Sequence, residues 1–66
     1  MDFMEPKYPN ITVQLTGEDG NAFFILGKVS KAIKREGHDS KKFIDEAMSG
    51  DYNNLLQTCM KWVNVE

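Results

Sequence analysis

One stretch of the chain, residues 10–36, constrains the fold most, because its hydrophobic period changes from two to about 3.6 within a few residues. In its first part, Ile11, Val13 and Leu15 alternate with polar residues. Alternation with β-branched residues predicts a strand over residues 10–16 with one buried face. A strand with one apolar face needs a second element to cover it.

The residues that follow predict a turn and a covering helix. Residues 17–21 are rich in Gly, Asp and Asn, a composition typical of tight turns. A helix is predicted over residues 21–36, with Asp19 as its N-cap and Gly37 ending it. Its apolar residues recur at helical spacing on one broad face: Ala22, Ile25, Leu26, Val29, Ala32 and Ile33. We expect this face to pack on the strand.

Two more helices and a second strand are predicted downstream. The second helix begins after Asp39 or Ser40 and ends at residues 49–50, and the third begins at Asp51. Their expected buried residues are Phe43, Ile44, Ala47 and Met48 in the second helix, and Tyr52, Leu55, Leu56, Cys59, Met60 and Val63 in the third. Residues 62–66 alternate again and predict a short strand.

These elements predict an α+β domain with the order βαααβ. Because unpaired strand backbone needs partners, the strand at residues 62–66 is expected to pair with the strand at residues 10–16. The alternative is that the first strand pairs with its copy in a second subunit. Residues 1–9, which contain both prolines, are predicted to be a flexible tail, and residues 10–66 a single domain.

The size of the chain favours self-association. A domain of 66 residues buries too little apolar surface to be more than marginally stable, and such domains often rely on disulfides, metals or oligomers. Cys59 and His38 are the single cysteine and histidine, which excludes an internal disulfide and a four-ligand zinc site built from Cys and His. We therefore expect a homo-oligomer without a metal or cofactor.

The beginning of the sequence and the lone thiol predict a cytoplasmic protein. The first residues lack a basic segment followed by an apolar one, so no signal peptide is indicated. No apolar run approaches the ~20 residues that a membrane span needs. A single free cysteine fits a reducing compartment. No membrane partner is expected.

The charge of the chain is unevenly distributed. Residues 28–42 carry six cations against two acids, a local net charge of +4 in a chain of net charge −2. The predicted first helix places Phe24 beside Lys28, Lys31 and Arg35, opposite its apolar face. An aromatic ring among cations is suited to stacking and to anionic partners. In the alternative, Phe24 covers a neighbouring helix or lines a dimer interface.

Trp62 completes the set of candidate binding residues. It lies where the third helix gives way to the second strand, either at the edge of the core or as the anchor of an interface. The predicted ligand- or partner-binding residues are therefore Phe24, Lys28, Lys31, Arg35 and Trp62. The expected partner is a host protein or an anionic small ligand.

Enzymatic and DNA-binding functions are less favoured. One histidine without a positioned nucleophile does not make a catalytic triad, and the adjacent Asp45 and Glu46 point about 100° apart on a helix. The expected exposed face of the third helix carries one positive charge, whereas a DNA-recognition helix usually carries more. Its residues are Asn53, Asn54, Gln57, Thr58 and Lys61. We predict no catalytic residues.

Two stretches resemble a family of short, functionally unassigned proteins encoded by bacteriophages and prophages. They are Tyr8 to Phe23 (YPNITVQLTGEDGNAF) and Ser49 to Glu66 (SGDYNNLLQTCMKWVNVE), together about half the chain. The family has no activity or site residues to transfer, and the second helix with its preceding loop is the least typical part. The resemblance implies a phage origin and a bacterial host cell, where small accessory proteins often act by binding.

These observations favour a non-enzymatic binding protein that inhibits or sequesters a host component, with a bacterial defence pathway as the expected setting. In one version the basic residues meet an acidic protein surface. In the other they trap an anionic nucleotide signal. The alternatives are a small DNA-binding regulator and an assembly accessory protein without a ligand.

Overall fold

The computed structural model describes residues 5–15, 17 and 20–66. The elements in chain order are β1 (Tyr8–Val13), α1 (Ala22–Arg35), α2 (Lys41–Ala47), α3 (Tyr52–Trp62) and β2 (Val63–Val65). The two strands pair in parallel as a two-stranded sheet, with an irregular register between Tyr8 and Thr12. The predicted α+β fold with paired terminal strands is confirmed, and their direction is parallel.

β1 lies closer to the beginning of the chain than predicted. It includes Tyr8 and Pro9, which the sequence assigned to the tail, and the N–H of Lys7 donates to the carbonyl of Lys61 at 2.8 Å. The tail prediction is wrong for these residues, because the Tyr8 ring stacks on His38 with 4.1 Å between ring centroids. The part of the tail prediction that concerns residues 1–4 falls outside the described residues.

Helices α1 and α3 begin at N-cap residues whose side chains accept hydrogen bonds from the first N–H groups of the helix. Asn21 Oδ1 accepts from the N–H groups of Phe23 and Phe24 at 2.8 and 3.4 Å, so Asn21 is the N-cap of α1. The predicted cap, Asp19, lies outside the described residues, as do residue 16 of the predicted strand and residue 18 of the predicted turn. Asp51 Oδ1 accepts from the Asn54 N–H at 2.9 Å at the start of α3, as the sequence predicted.

The core lies between the sheet and the three helices. It comprises Ile11, Val13, Ile25, Val29, Ile33, Phe43, Ala47, Leu55, Cys59, Trp62 and Val63. Every element contributes, and the helical period correctly selects the residues of α1 that face β1. Phe43 and Trp62 pack edge to face with 5.8 Å between ring centroids, a geometry favoured by aromatic quadrupoles.

Four residues in or next to α2 and α3 differ in burial from the sequence prediction. Met48, Tyr52 and Met60, predicted to be core residues, are exposed, whereas Thr58, predicted to be exposed, is buried. The apolar stripe of α3 is wider than the surface its neighbours cover, so its margins remain in solvent. The hydroxyl of Thr58 donates to the Asn54 carbonyl at 2.8 Å, which satisfies its polar group inside the core.

A pair of matched phenylalanine truncations tests this core. Phe43 is 0% exposed and Phe23 is 77% exposed. Phe43→Ala should lower the free energy of unfolding by about 3–5 kcal/mol, because it removes a buried ring and leaves a cavity. Phe23→Ala should change it by less than about 1 kcal/mol when the protein is dilute enough to be monomeric. Urea denaturation followed by circular dichroism measures both, and equal losses would contradict the assigned core.

The buried thiol predicts a pH dependence of stability. Burial raises the pKa of Cys59 from 9.0 to about 11. The unfolded chain therefore releases the thiol proton at a lower pH than the folded chain. Stability should fall by up to about 1.4 kcal/mol per pH unit as pH rises from about 9 to about 11.

Urea midpoints measured from pH 7 to pH 10.5 for the wild type and Cys59→Ala isolate this contribution from the other groups that titrate there. The wild-type curve should fall towards the variant curve above pH 9. Parallel curves would show that the thiol ionises equally easily in both states.

Candidate functional site

A groove lies between β1 and the basic side of α1. It has a volume of about 330 Å³. We call it the basic groove, and its lining residues are Thr12, Val13, Gln14, Lys28, Lys31, Ala32 and Arg35. Three of these seven residues are cations and none is an acid. The groove therefore combines a segment of strand with a row of positive side chains.

The helical period explains why the cations meet there. Lys28, Lys31 and Arg35 follow each other at spacings of three and four, so they lie on one side of α1. Val29 and Ile33, on the adjacent side, are buried in the core and fix the rotation of the helix. Ala32 is small enough to leave space between the helix and the strand.

The hydrogen bonds of β1 show which of its edges faces the groove. The Val13 carbonyl accepts from the N–H of Glu66 at 2.9 Å, and the N–H of Leu15 donates to the Glu66 carbonyl at 2.7 Å. In a strand, the backbone groups of successive residues point to opposite edges. Thr12 and Gln14 therefore turn their N–H and C=O groups away from β2. Lys28 Nζ donates to the Gln14 carbonyl at 2.6 Å at that opposite edge.

Lys31 and Arg35, the outer cations of the groove, are not paired with any described carboxylate. Lys31 and Arg35 are exposed, and within the described part of the chain neither forms a salt bridge. Lys61, on α3, pairs instead with Glu46 at 3.6 Å. An incoming anion would thus meet the positive charges of Lys31 and Arg35 without having to displace a described carboxylate.

The structure brings together three of the five predicted binding residues. Lys28, Lys31 and Arg35 line the basic groove. Phe24 lies beside it rather than in its lining, is 39% exposed, and has Lys28 Nζ 5.7 Å from its ring centroid. That distance fits a cation–π contact within the protein.

Trp62 lies apart from this group. It is 6% exposed, packs against Phe43, and its indole N–H donates to Glu46 Oε1 at 3.3 Å. Lys7 Nζ lies 4.6 Å from its ring centroid. Of the two roles predicted for Trp62, the structure shows the core position, because its ring is occupied by contacts within the domain.

A second surface was missed by the sequence analysis. Phe23 on α1, Met48 after α2, and Tyr52 and Met60 on α3 are large apolar residues with exposed side chains. We call them the apolar strip. The helical period of the sequence predicted that Met48, Tyr52 and Met60 lie in the core. Phe23 was outside the predicted apolar face of the first helix. The sequence did contain one indication of this surface. A chain of 66 residues can bury only part of its apolar side chains, and it has more of them than its core can hold.

Two shallow cavities meet at Tyr52 along this strip. The first, of about 230 Å³, lies between Phe23, Met48 and the start of α3. The second, of about 290 Å³, lies between Leu15 and Met60. The Tyr52 hydroxyl donates to the Gly20 carbonyl at 2.6 Å, which fixes the ring between the two cavities. The apolar strip therefore has both protruding side chains and hollows.

Comparison with known proteins gives no function for the chain, so its function has to be inferred from the chemistry of these surfaces. No protein-family model, curated protein or solved structure matches the chain. The helices described here are too short and too polar to cross a membrane. Within residues 5–15, 17 and 20–66, no three His, Cys, Asp or Glu residues are grouped as metal ligands.

Proposed function

We propose that the protein is a non-enzymatic binding protein of phage origin that inhibits or sequesters an anionic component in the cytoplasm of a bacterial host. A bacterial defence pathway is the proposed setting. The observation that supports this function is the basic groove, in which Lys28, Lys31 and Arg35 converge on one side of β1.

The groove favours an anion for electrostatic reasons. Charges of one sign that line a concave surface reinforce each other and raise the local concentration of the opposite charge. The contribution of exposed cations falls with salt, because screening acts over about 8 Å at physiological ionic strength. Binding through this groove should therefore weaken steadily as salt is added.

Both classes of anionic partner fit this proposal. An acidic protein surface would meet the three cations directly. A nucleotide signal would place its phosphates on the cations and its base near Phe24, outside the lining of the groove. In either case the protein acts by occupying its partner, and no residue is assigned a catalytic role.

The DNA-binding alternative has less support. The exposed cations of the groove belong to α1 and are confined to one concave site, whereas a duplex needs phosphate contacts along an extended face. The assembly alternative is favoured by a different observation, the apolar strip, which offers an interface without a ligand.

We further propose that the protein is a homo-oligomer, with a second copy covering the apolar strip. Phe23 projects from the strip, and the adjacent cavity of about 230 Å³ offers a hollow for the same ring of another copy. A two-fold interface needs such a projection and hollow in one patch. Two basic grooves, by contrast, would repel each other.

Charge reversal in the groove tests the binding function. Lys31→Glu combined with Arg35→Glu should weaken binding of an acidic peptide or a dinucleotide at least tenfold at low salt. Lys41→Glu with Lys42→Glu is the matched control, because it makes the same charge change on α2, outside the groove. Fluorescence anisotropy measures the affinities, and circular dichroism checks the fold.

The control pair should change the affinity less than threefold. Equal losses in both double variants, or no binding of any anionic probe by the wild type, would contradict the function. Strong binding of duplex DNA with a steep salt dependence would instead favour the regulator. Plaque counts on defence-competent bacteria that express each variant would then connect binding to the biological setting.

The oligomer is tested by making the apolar strip polar. Sedimentation velocity over a range of concentrations should show a dimer for the wild type and a monomer for Phe23→Ser combined with Met60→Ser, because both exposed apolar side chains leave the interface. Lys31→Glu with Arg35→Glu should leave the dimer intact. A monomeric wild type, or a dimer that survives the serine substitutions, would contradict the proposed interface.

A further inference from the structure

The edge of β1 that faces the basic groove points to one kind of partner. Resting on the proposed function, we infer that the groove binds an extended acidic peptide segment, which adds as a strand to this edge of β1. The peptide would pair with the backbone of β1 at Thr12. Its carboxylates would meet the cations of α1.

The backbone of β1 can supply hydrogen-bonding groups to an added strand. Because Val13 and Leu15 direct their backbone groups to Glu66, the N–H and C=O of Thr12 point into the groove. Thr12 is an exposed residue in the lining of the groove. Unpaired groups at a strand edge form a template for a further strand, and an extended peptide satisfies them by main-chain hydrogen bonds.

The spacing of the cations on α1 matches the spacing of side chains on a strand. Side chains on one face of a strand repeat every two residues, about 6.6 Å. Lys31 and Arg35 are four residues apart on α1, a rise of about 6 Å. Acids at alternate positions of an added strand would therefore be spaced to meet these two cations in turn. Intervening side chains would point to the opposite face.

In the free protein, the side chain of Lys28 lies over part of this edge of β1. Its ammonium group donates to the Gln14 carbonyl at 2.6 Å and so covers part of the edge. A charged side chain in this position is a common protection against unwanted strand pairing. A carboxylate of the peptide would be attracted to this ammonium group as well as to Lys31 and Arg35.

Other occupants fit the groove less well. A second copy of β1 would bring three further cations into the same space, and like charges across a strand pair are destabilising. Among the described residues, the lining holds no aromatic ring on which a nucleotide base could stack, because Phe24 lies outside it. Neither a nucleotide nor DNA would supply the alternating backbone donors and acceptors of a strand.

The test uses a peptide of alternating Glu and Val residues, in three forms, with the intact protein. One form is unmodified, one is N-methylated on every Glu nitrogen, and one is N-methylated on every Val nitrogen. An added strand turns only one of these two sets of N–H groups towards β1. One methylated peptide should therefore lose at least tenfold in affinity, and the other should remain within about threefold of the unmodified peptide.

The outcomes separate this inference from the function on which it rests. If both methylated peptides bind equally, whether well or poorly, strand addition is overturned. It is overturned as well if inorganic tripolyphosphate binds in the groove and the unmodified peptide does not. In either case, a Lys31→Glu and Arg35→Glu variant that still loses binding of an anionic probe leaves the proposed function standing. If no anionic probe depends on those two cations, the function itself fails.

Discussion

The parallel pairing of β1 with β2 determines how the other elements of the domain are arranged. Parallel neighbours need a crossover connection, which in this chain consists of the three helices. The helices bury Ile11 and Val13 on one face of β1, while Thr12 stays exposed on the other. Because β2 uses one edge of β1, the opposite edge remains for α1 to flank with its cations.

This arrangement explains how a small chain can carry two different surfaces. The residues that line the basic groove and those that form the apolar strip do not overlap. A partner in the groove and a second copy on the strip would therefore not compete. Self-association would also bury apolar side chains that the single domain leaves in water, which would stabilise a domain of this size.

The sequence was informative where a local period matched a buried face. Alternation at Ile11 and Val13 predicted a strand, and the helical period predicted that Lys28, Lys31 and Arg35 share one side of a helix. Neither period contains the direction of strand pairing, since alternation looks the same for parallel and antiparallel neighbours. The contribution of the β1 edge to the groove was therefore beyond sequence reasoning.

The remaining differences arise from contacts between distant residues. Tyr8 joins β1 because its ring stacks on His38, thirty positions along the chain. Met60 is exposed because the width of an apolar stripe does not reveal how much of it the neighbouring elements cover. Thr58 is buried because a hydroxyl can be satisfied within its own helix.

Amide hydrogen exchange at Thr12 and Val13 tests whether the edge of β1 that faces the basic groove is open. We expect that in the free protein the Val13 amide, which faces β2, is protected, whereas the Thr12 amide exchanges nearly as fast as in an unfolded chain. An alternating acidic peptide should then slow exchange at Thr12 without changing Val13. Equal protection of both amides in the free protein would contradict an open edge in the basic groove.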